Sequence, residues 1–220
     1  MKLDTKKTVQ IGFAFLSISA FWQMYNNVIP LILTNTFHMN ETISGAIMAA
    51  DNILALFLLP LFGGISDRCK SRMGRRKPFV LFGTIAAVIL MLLLPLVDNS
   101  YFAHPSDTKT VLFIGILGCL LVAMGTYRSP AVALMPDVTV KPLRSKANAI
   151  INLMGSAGGI LVLALGMVFA TASVRNSLMS YTAYFAVIAA IMLTALVIFL
   201  LTVRETEWAA EMQQQAVALG

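Results

Sequence analysis

Gln23, Asn26, Asn27 and Pro30 recur at i, i+3, i+4 and i+7 within an otherwise apolar stretch, so they share one face of a helix. Amide side chains donate and accept hydrogen bonds, and a stripe of them does not profitably face lipid. It therefore turns toward protein or toward water. Two uses are open: interhelical hydrogen bonds that hold a bundle, or a wall that binds hydroxyl-rich substrate. In the second case the neighbouring Trp22 or Tyr25 is available to stack on a flat ligand face. Asp51-Asn52 lies in the middle of a second apolar stretch, where an ionised carboxylate is disfavoured by about 2.5–3.5 kcal/mol on insertion scales. Such an acid is paired, protonated or set against a wet cavity. It is a candidate functional acid, with the Asn52 amide beside it as a further oxygen donor.

Arg128, in Tyr127-Arg128-Ser129-Pro130, is the one base inside a span. Counted from the outer ends, Asp51 lies about ten residues deep and Arg128 about eighteen, a nominal offset of about 12 Å. Arg128 either reaches Asp51, or snorkels to the cytoplasmic face while Asp51 pairs elsewhere. Asn148, Asn152, Gly155/Ser156 and Gly159 form another helical face, read first as a close-packing surface, with the two asparagines as cavity candidates.

These groups need helices to hold them. The chain has 220 residues, 58% apolar and 12% charged, about half the charge of an ordinary soluble domain, with mean hydropathy +0.82. Six segments suffice to cross a bilayer: roughly 9–34, 42–62, 78–97, 110–134, 147–170 and 180–203. Only helices satisfy their own backbone in hydrocarbon, so the expected fold is an all-α membrane bundle. Residues 1–203 form it; residues 204–220 make a polar cytoplasmic tail, a short helix or frayed end. The outer turns fall at 35–41, 98–109 and 171–179, and a second cytoplasmic loop at 136–146.

The net charge of +6 follows this topology and gives no case for nucleic acid: thirteen of sixteen basic residues fall on one side. Lys109 and Arg175 face the other, and both termini are expected in the cytoplasm. The basic start followed by an apolar run is too long for a cleaved signal and is expected to stay as the first span. Cys69 and Cys119 lie in a loop and in a span, so no disulfide forms, and no metal-ligand spacing exists. No nucleotide loop, nucleophile elbow or catalytic His cluster is present, and His38 and His104 lie in outer loops. The chain reads as no enzyme.

Gly63-Gly64-Ile65-Ser66-Asp67-Arg68-Cys69-Lys70-Ser71-Arg72-Met73-Gly74-Arg75-Arg76-Lys77-Pro78 joins the second and third spans and holds six of the sixteen bases. A solvated positive-inside loop would explain the bases, but not Gly, Asp, Arg, Gly, Arg-Arg and Pro together. The combination resembles the loop between helices two and three of the major facilitator superfamily, G-x-x-x-D-R/K-x-G-R/K-R/K. Gly63 stands four before Asp67, Arg68 follows, and Gly74-Arg75-Arg76 completes the pattern. Five residues, not one, separate Arg68 from Gly74, the longer form of the glycoside and sucrose:cation symporter branch. Pro136-Asp137 and Arg144, the acid and base bracketing the turn into helix 5, look like the same branch.

The resemblance implies the N-terminal half of a two-half transporter, built from two inverted three-helix repeats. It also implies symport of a sugar or glycoside by alternating access with H⁺ or Na⁺ and no bound cofactor. On that reading Gln23, Tyr25, Asn26, Asn27 and Arg128 contact substrate, and Asp51 with Asn52 serves the coupling ion. Gly63, Asp67, Arg68, Gly74, Arg75 and Arg76 form a conformational latch on the opposite half. The expected partners are a small sugar, the bilayer of the cell membrane, and a second half or a second copy. The rival expectations are a half inactive alone and, from another class, a six-helix membrane enzyme or channel subunit.

Overall fold

The computed structural model describes residues 3–171 and 181–217. Their regular structure is entirely helical: α1 Thr5–Asn35, α2 Glu41–Arg68, α3 Lys77–Ala103, α4 Asp107–Val138, α5 Arg144–Val168, α6 Thr182–Thr202 and α7 Glu205–Val217, with a 3₁₀ turn at Lys141–Leu143 before α5. Five helices, α2 to α6, are long and apolar enough to cross a membrane. The sequence reading has six spans. At 31 residues α1 has the length for a sixth, about 46 Å, but its basic start and amide stripe dilute its apolar character. The last outer turn, with Arg175, lies outside the described residues.

Helix starts and stops follow local chemistry. The carboxylate of Asp4 accepts the Lys7 N–H at 3.1 Å and opens α1; Asn40 does the same for Ile43 at 2.7 Å and opens α2. The loop expected at 98–109 is mostly helix. α3 runs on to Ala103, because its last carbonyls find a cation: Lys109 Nζ donates to Ser100 and His104 oxygens, both at 2.8 Å. Asn99 is also tied across to Thr182 Oγ1 at 2.9 Å, so the turn residues there are held as a helix end. α4 likewise passes through Pro136 to Val138, and the Arg144 guanidinium caps it, donating to Pro136 O at 2.7 Å and Thr139 O at 3.0 Å.

Packing is uneven. α1 lies mainly against α5 and then α6; α3 lies against α4 and α6; α2 touches chiefly α4. Exchanging α1, α2, α3 for α4, α5, α6 maps the main neighbour pairs onto one another. The approaches depend on glycine at two crossings. A Cβ on Gly158 would stand 2.5 Å from the Leu16 carbonyl oxygen, and one on Gly83 within 3.0 Å of the Tyr127 backbone. The core is one continuous cluster through α1, α3, α4 and α6. α2 contributes almost nothing to it, and its Ile53, Leu56, Phe57 and Leu61 are exposed, as are Leu153 and Met167 of α5. Apolar side chains facing outward on long apolar helices suit a hydrocarbon solvent.

Candidate functional site

Two constellations stand out, one halfway along the helices and one at the end that carries the basic loop.

The first is an open cavity of about 630 Å³ between α1, α2, α4 and α5. Trp22, Gln23 and Asn26 of α1 line it with Asp51 of α2, Arg128 of α4, and Asn148 and Asn152 of α5. Four amides and two opposite charges thus share one space, drawn from four separate stretches of sequence. A second groove, about 470 Å³, shares Gln23 and Asn152 and continues along Gly155, Ser156 and Gly159 of α5. The polar wall and the small-residue face are therefore continuous. The α5 face serves both packing and cavity: Gly155 and Gly158 meet α1, while Asn148, Asn152 and Ser156 front the open space.

Asp51 and Arg128 line the same cavity, yet no ion pair joins them among the described residues. Asn52 donates its amide to the Asp51 carboxylate at 2.8 Å. Arg128 instead has its guanidinium carbon 5.3 Å from the centre of the Trp22 ring. It neither snorkels free nor reaches the acid.

Two of the expected substrate contacts are placed elsewhere. Tyr25 is fully buried in the α1 core, stacked on Phe21 at 5.9 Å and edge-on to Trp22 at 5.3 Å, and lines neither groove. It lies two residues from Gln23, which turns it away from the amide face. Asn27 borders a different cavity of about 480 Å³, with Leu31, Val162 and Tyr184, and its amide is bonded to the Gln23 carbonyl at 2.6 Å.

The second constellation centres on Arg76, whose side chain is 5% exposed. Its Nε donates to Asp137 at 2.8 Å, one terminal nitrogen pairs with Asp67, and the other bonds Ser66 Oγ. One planar guanidinium therefore ties the end of α2 to the end of α4, a task suited to its fork of donors. Arg68 and Arg75 are exposed and make no ion pair among the described residues. Gly63 sits against Ser129 of α4, with Oγ 3.1 Å from where a Cβ would be.

Sequence reasoning missed Glu205. Its carboxylate accepts the backbone N–H groups of Arg75 at 2.7 Å, Arg76 at 2.9 Å and Lys77 at 3.0 Å, closing the start of α3. Gly74 makes this possible: it turns at φ 114°, and a Cβ there would collide with the Glu205 side chain. Lys77 returns the favour at α6, donating Nζ to Leu200 O at 3.1 Å and Val203 O at 2.7 Å. The available signal was an acid just past the last apolar run, set against a loop ending in a helix start. Beyond it, α7 lies back on the bundle: Trp208 is buried, and Lys7 of α1 pairs with Glu211 and sits 5.5 Å over the Trp208 ring.

Long apolar helices around a polar, charged cavity, with a braced basic loop at one end, make an integral membrane bundle. The Major Facilitator Superfamily profile matches residues 11–217, and the chain belongs to that family. Among curated proteins it is 31% identical to the sucrose transport protein SUC3 of Arabidopsis thaliana over 143 residues, 60% of this chain and 24% of that one. It is 32% identical to SUC4 of the same plant over 119 residues, 50% of this chain and 23% of the relative. It is 37% identical to the proton-associated sugar transporter A of Mus musculus over 113 residues, covering 49% and 15%. The chain thus spans about a quarter or less of the length of these relatives.

Proposed function

We propose that this chain is the N-terminal six-helix half of a sugar:cation symporter, moving a sugar or glycoside by alternating access. The observation that carries the reading is the shared cavity: Gln23, Asn26, Asn148 and Asn152 around Asp51 and Arg128. Amides and a guanidinium match the hydroxyl and ether oxygens of a sugar, and a lone carboxylate between them suits a coupling ion. Gln23, Asn26 and Arg128 bind substrate; Asp51, steadied by Asn52, takes H⁺ or Na⁺. The neighbour symmetry of α1–α3 and α4–α6 supports two inverted three-helix repeats. The names of the relatives, sucrose transport protein and proton-associated sugar transporter, favour sugar and proton.

Asp67, Arg76 and Asp137 set the basic loop, and Gly74 gives it its turn. Arg68 and Arg75 then project from a braced base as the part that engages an opposite half. The uncovered faces of α2 and α5 favour such a partner, either a separate six-helix half or a second copy. The test is reconstitution in proteoliposomes, alone and with a second half, with labelled sucrose outside and an imposed pH or Na⁺ gradient. Uptake that needs the partner and collapses with a protonophore or Na⁺ ionophore is expected. Absence of sugar binding in every assembly overturns the sugar assignment.

A further inference from the structure

Arg128 occupies an unusual place: a cation in the second half of α4, inside the apolar bundle, with a backbone fixed on both sides. Tyr127, fully buried, donates its hydroxyl to the Ala14 carbonyl of α1 at 2.8 Å. Ser129 donates to the Leu59 carbonyl of α2 at 2.7 Å. The Arg128 side chain itself makes no hydrogen bond or ion pair among the described residues, and its guanidinium lies over the Trp22 ring at 5.3 Å. Trp22 is in turn fixed edge-on between Phe21 and Tyr25, both at 5.3 Å. Its indole N–H is enclosed and has no acceptor among the described residues. Trp22, Asp51 and Arg128 also border one narrow gap of about 20 Å³.

We propose that Trp22 is the positioning residue for Arg128: its ring holds the guanidinium over the cavity and off Asp51, keeping the N–H edges free for substrate oxygens. This rests on the sugar reading above. A guanidinium that lies over an aromatic face is attracted through the ring quadrupole and keeps its five in-plane donors. Left without that ring, a mid-membrane arginine has two other outlets, the carboxylate in the same cavity or the nearest water. Either removes it from the binding wall. The ring face that the guanidinium occupies is then closed to a pyranose, so Trp22 acts through Arg128 rather than as a sugar-stacking platform.

The test has two arms. The chain contains two tryptophans, so Trp208→Phe leaves Trp22 as the only indole. In that background Arg128→Gln is expected to change the Trp22 emission maximum and intensity without any ligand. Unchanged emission overturns the pairing whatever the substrate is. In the assembly that binds sugar, Trp22→Leu and Arg128→Ala are each expected to weaken binding about tenfold, with the double variant no worse than either alone. Trp22→Tyr, which keeps a ring, is expected to restore most of the affinity, with the loss appearing in KM rather than in turnover. Additive losses, as from a ring that stacks directly on sugar, overturn the proposal while leaving the sugar reading intact. Wild-type failure to bind sugar sinks that reading, and the emission arm then still decides the pairing.

Discussion

Lys77 and Glu205 close two helix ends between them, the start of α3 and the end of α6. The Glu205 carboxylate accepts the Lys77 N–H at 3.0 Å at the start of α3, and the Lys77 ammonium donates to Val203 O at 2.7 Å at the end of α6. Each charge stands where the helix dipole favours it, the acid at an N-terminus and the base at a C-terminus. Both side chains are nearly enclosed, so water is a poor substitute for either.

Removing this clasp has a measurable effect. Glu205→Ala leaves three backbone donors without their acceptor and is expected to cost about 2–4 kcal/mol. Glu205→Gln keeps one acceptor oxygen and falls between. Gly74→Ala reproduces part of the loss from the other side, through its positive φ and the crowded carboxylate. Thermal melting in mild detergent reads all three; equal melting temperatures for wild type and Glu205→Ala would refute the assignment.

Arg76 is expected to separate stability from transport. Asp137 is largely enclosed and Asp67 more than half exposed, so Asp137→Asn lowers the melting temperature more than Asp67→Asn. Arg76→Ala strands both acids and costs about 3 kcal/mol. Arg76→Lys rescues poorly, since an ammonium cannot reach three acceptors in one plane. If Asp67 also works in the latch, Asp67→Asn slows transport while melting normally.

Gly158 and Gly115 make a matched pair. Gly158→Val drives a branched side chain into the Leu16 carbonyl and is expected to open the α1–α5 seam, giving aggregated or protease-sensitive protein. Nothing lies within 4 Å of a Cβ at Gly115, so Gly115→Ala is expected to be neutral. Size-exclusion profiles in detergent compare the two.

Asp51→Asn is expected to abolish uphill sugar accumulation in the assembled transporter and to spare some downhill exchange. The measurement is uptake with and without an imposed gradient. Accumulation equal to the parent would make Asp51 structural and move coupling elsewhere.

Orientation is open to labelling. A membrane-impermeant thiol reagent on intact cells is expected to miss Cys69 and to react with Ser106→Cys, because the basic residues cluster around the first.

The bundle was legible because apolar length is a local property, and so was the amide stripe, because three- and four-residue spacing is fixed by the helix. Even Tyr25 was decidable from its offset of two from Gln23, had periodicity been weighed above its aromatic chemistry. What spacing does not carry is pairing between distant segments. Trp22 and Arg128 meet across 105 intervening positions, and Glu205 sits in a tail whose glutamates and glutamines read as solvated. The extra turns of α3 and α4 were hidden for the same reason: Asp98-Asn99-Ser100 and Pro136 read as turns until Lys109 and Arg144 cap the ends from across the loop.

The separation between Glu205 and Lys77 also sets a schedule. The two lie 128 residues apart in the chain, and at about 5–20 residues per second the ribosome needs roughly 6–26 s to travel that distance. For that interval the start of α3 is already made while its carboxylate has not been synthesised. The N–H groups of Arg75, Arg76 and Lys77 must be held by water or by the insertion machinery, and the Arg76 guanidinium by Asp67 and Ser66 until Asp137 arrives. The basic loop is thus built long before either of the acids that lock it, Asp137 and Glu205, has been made.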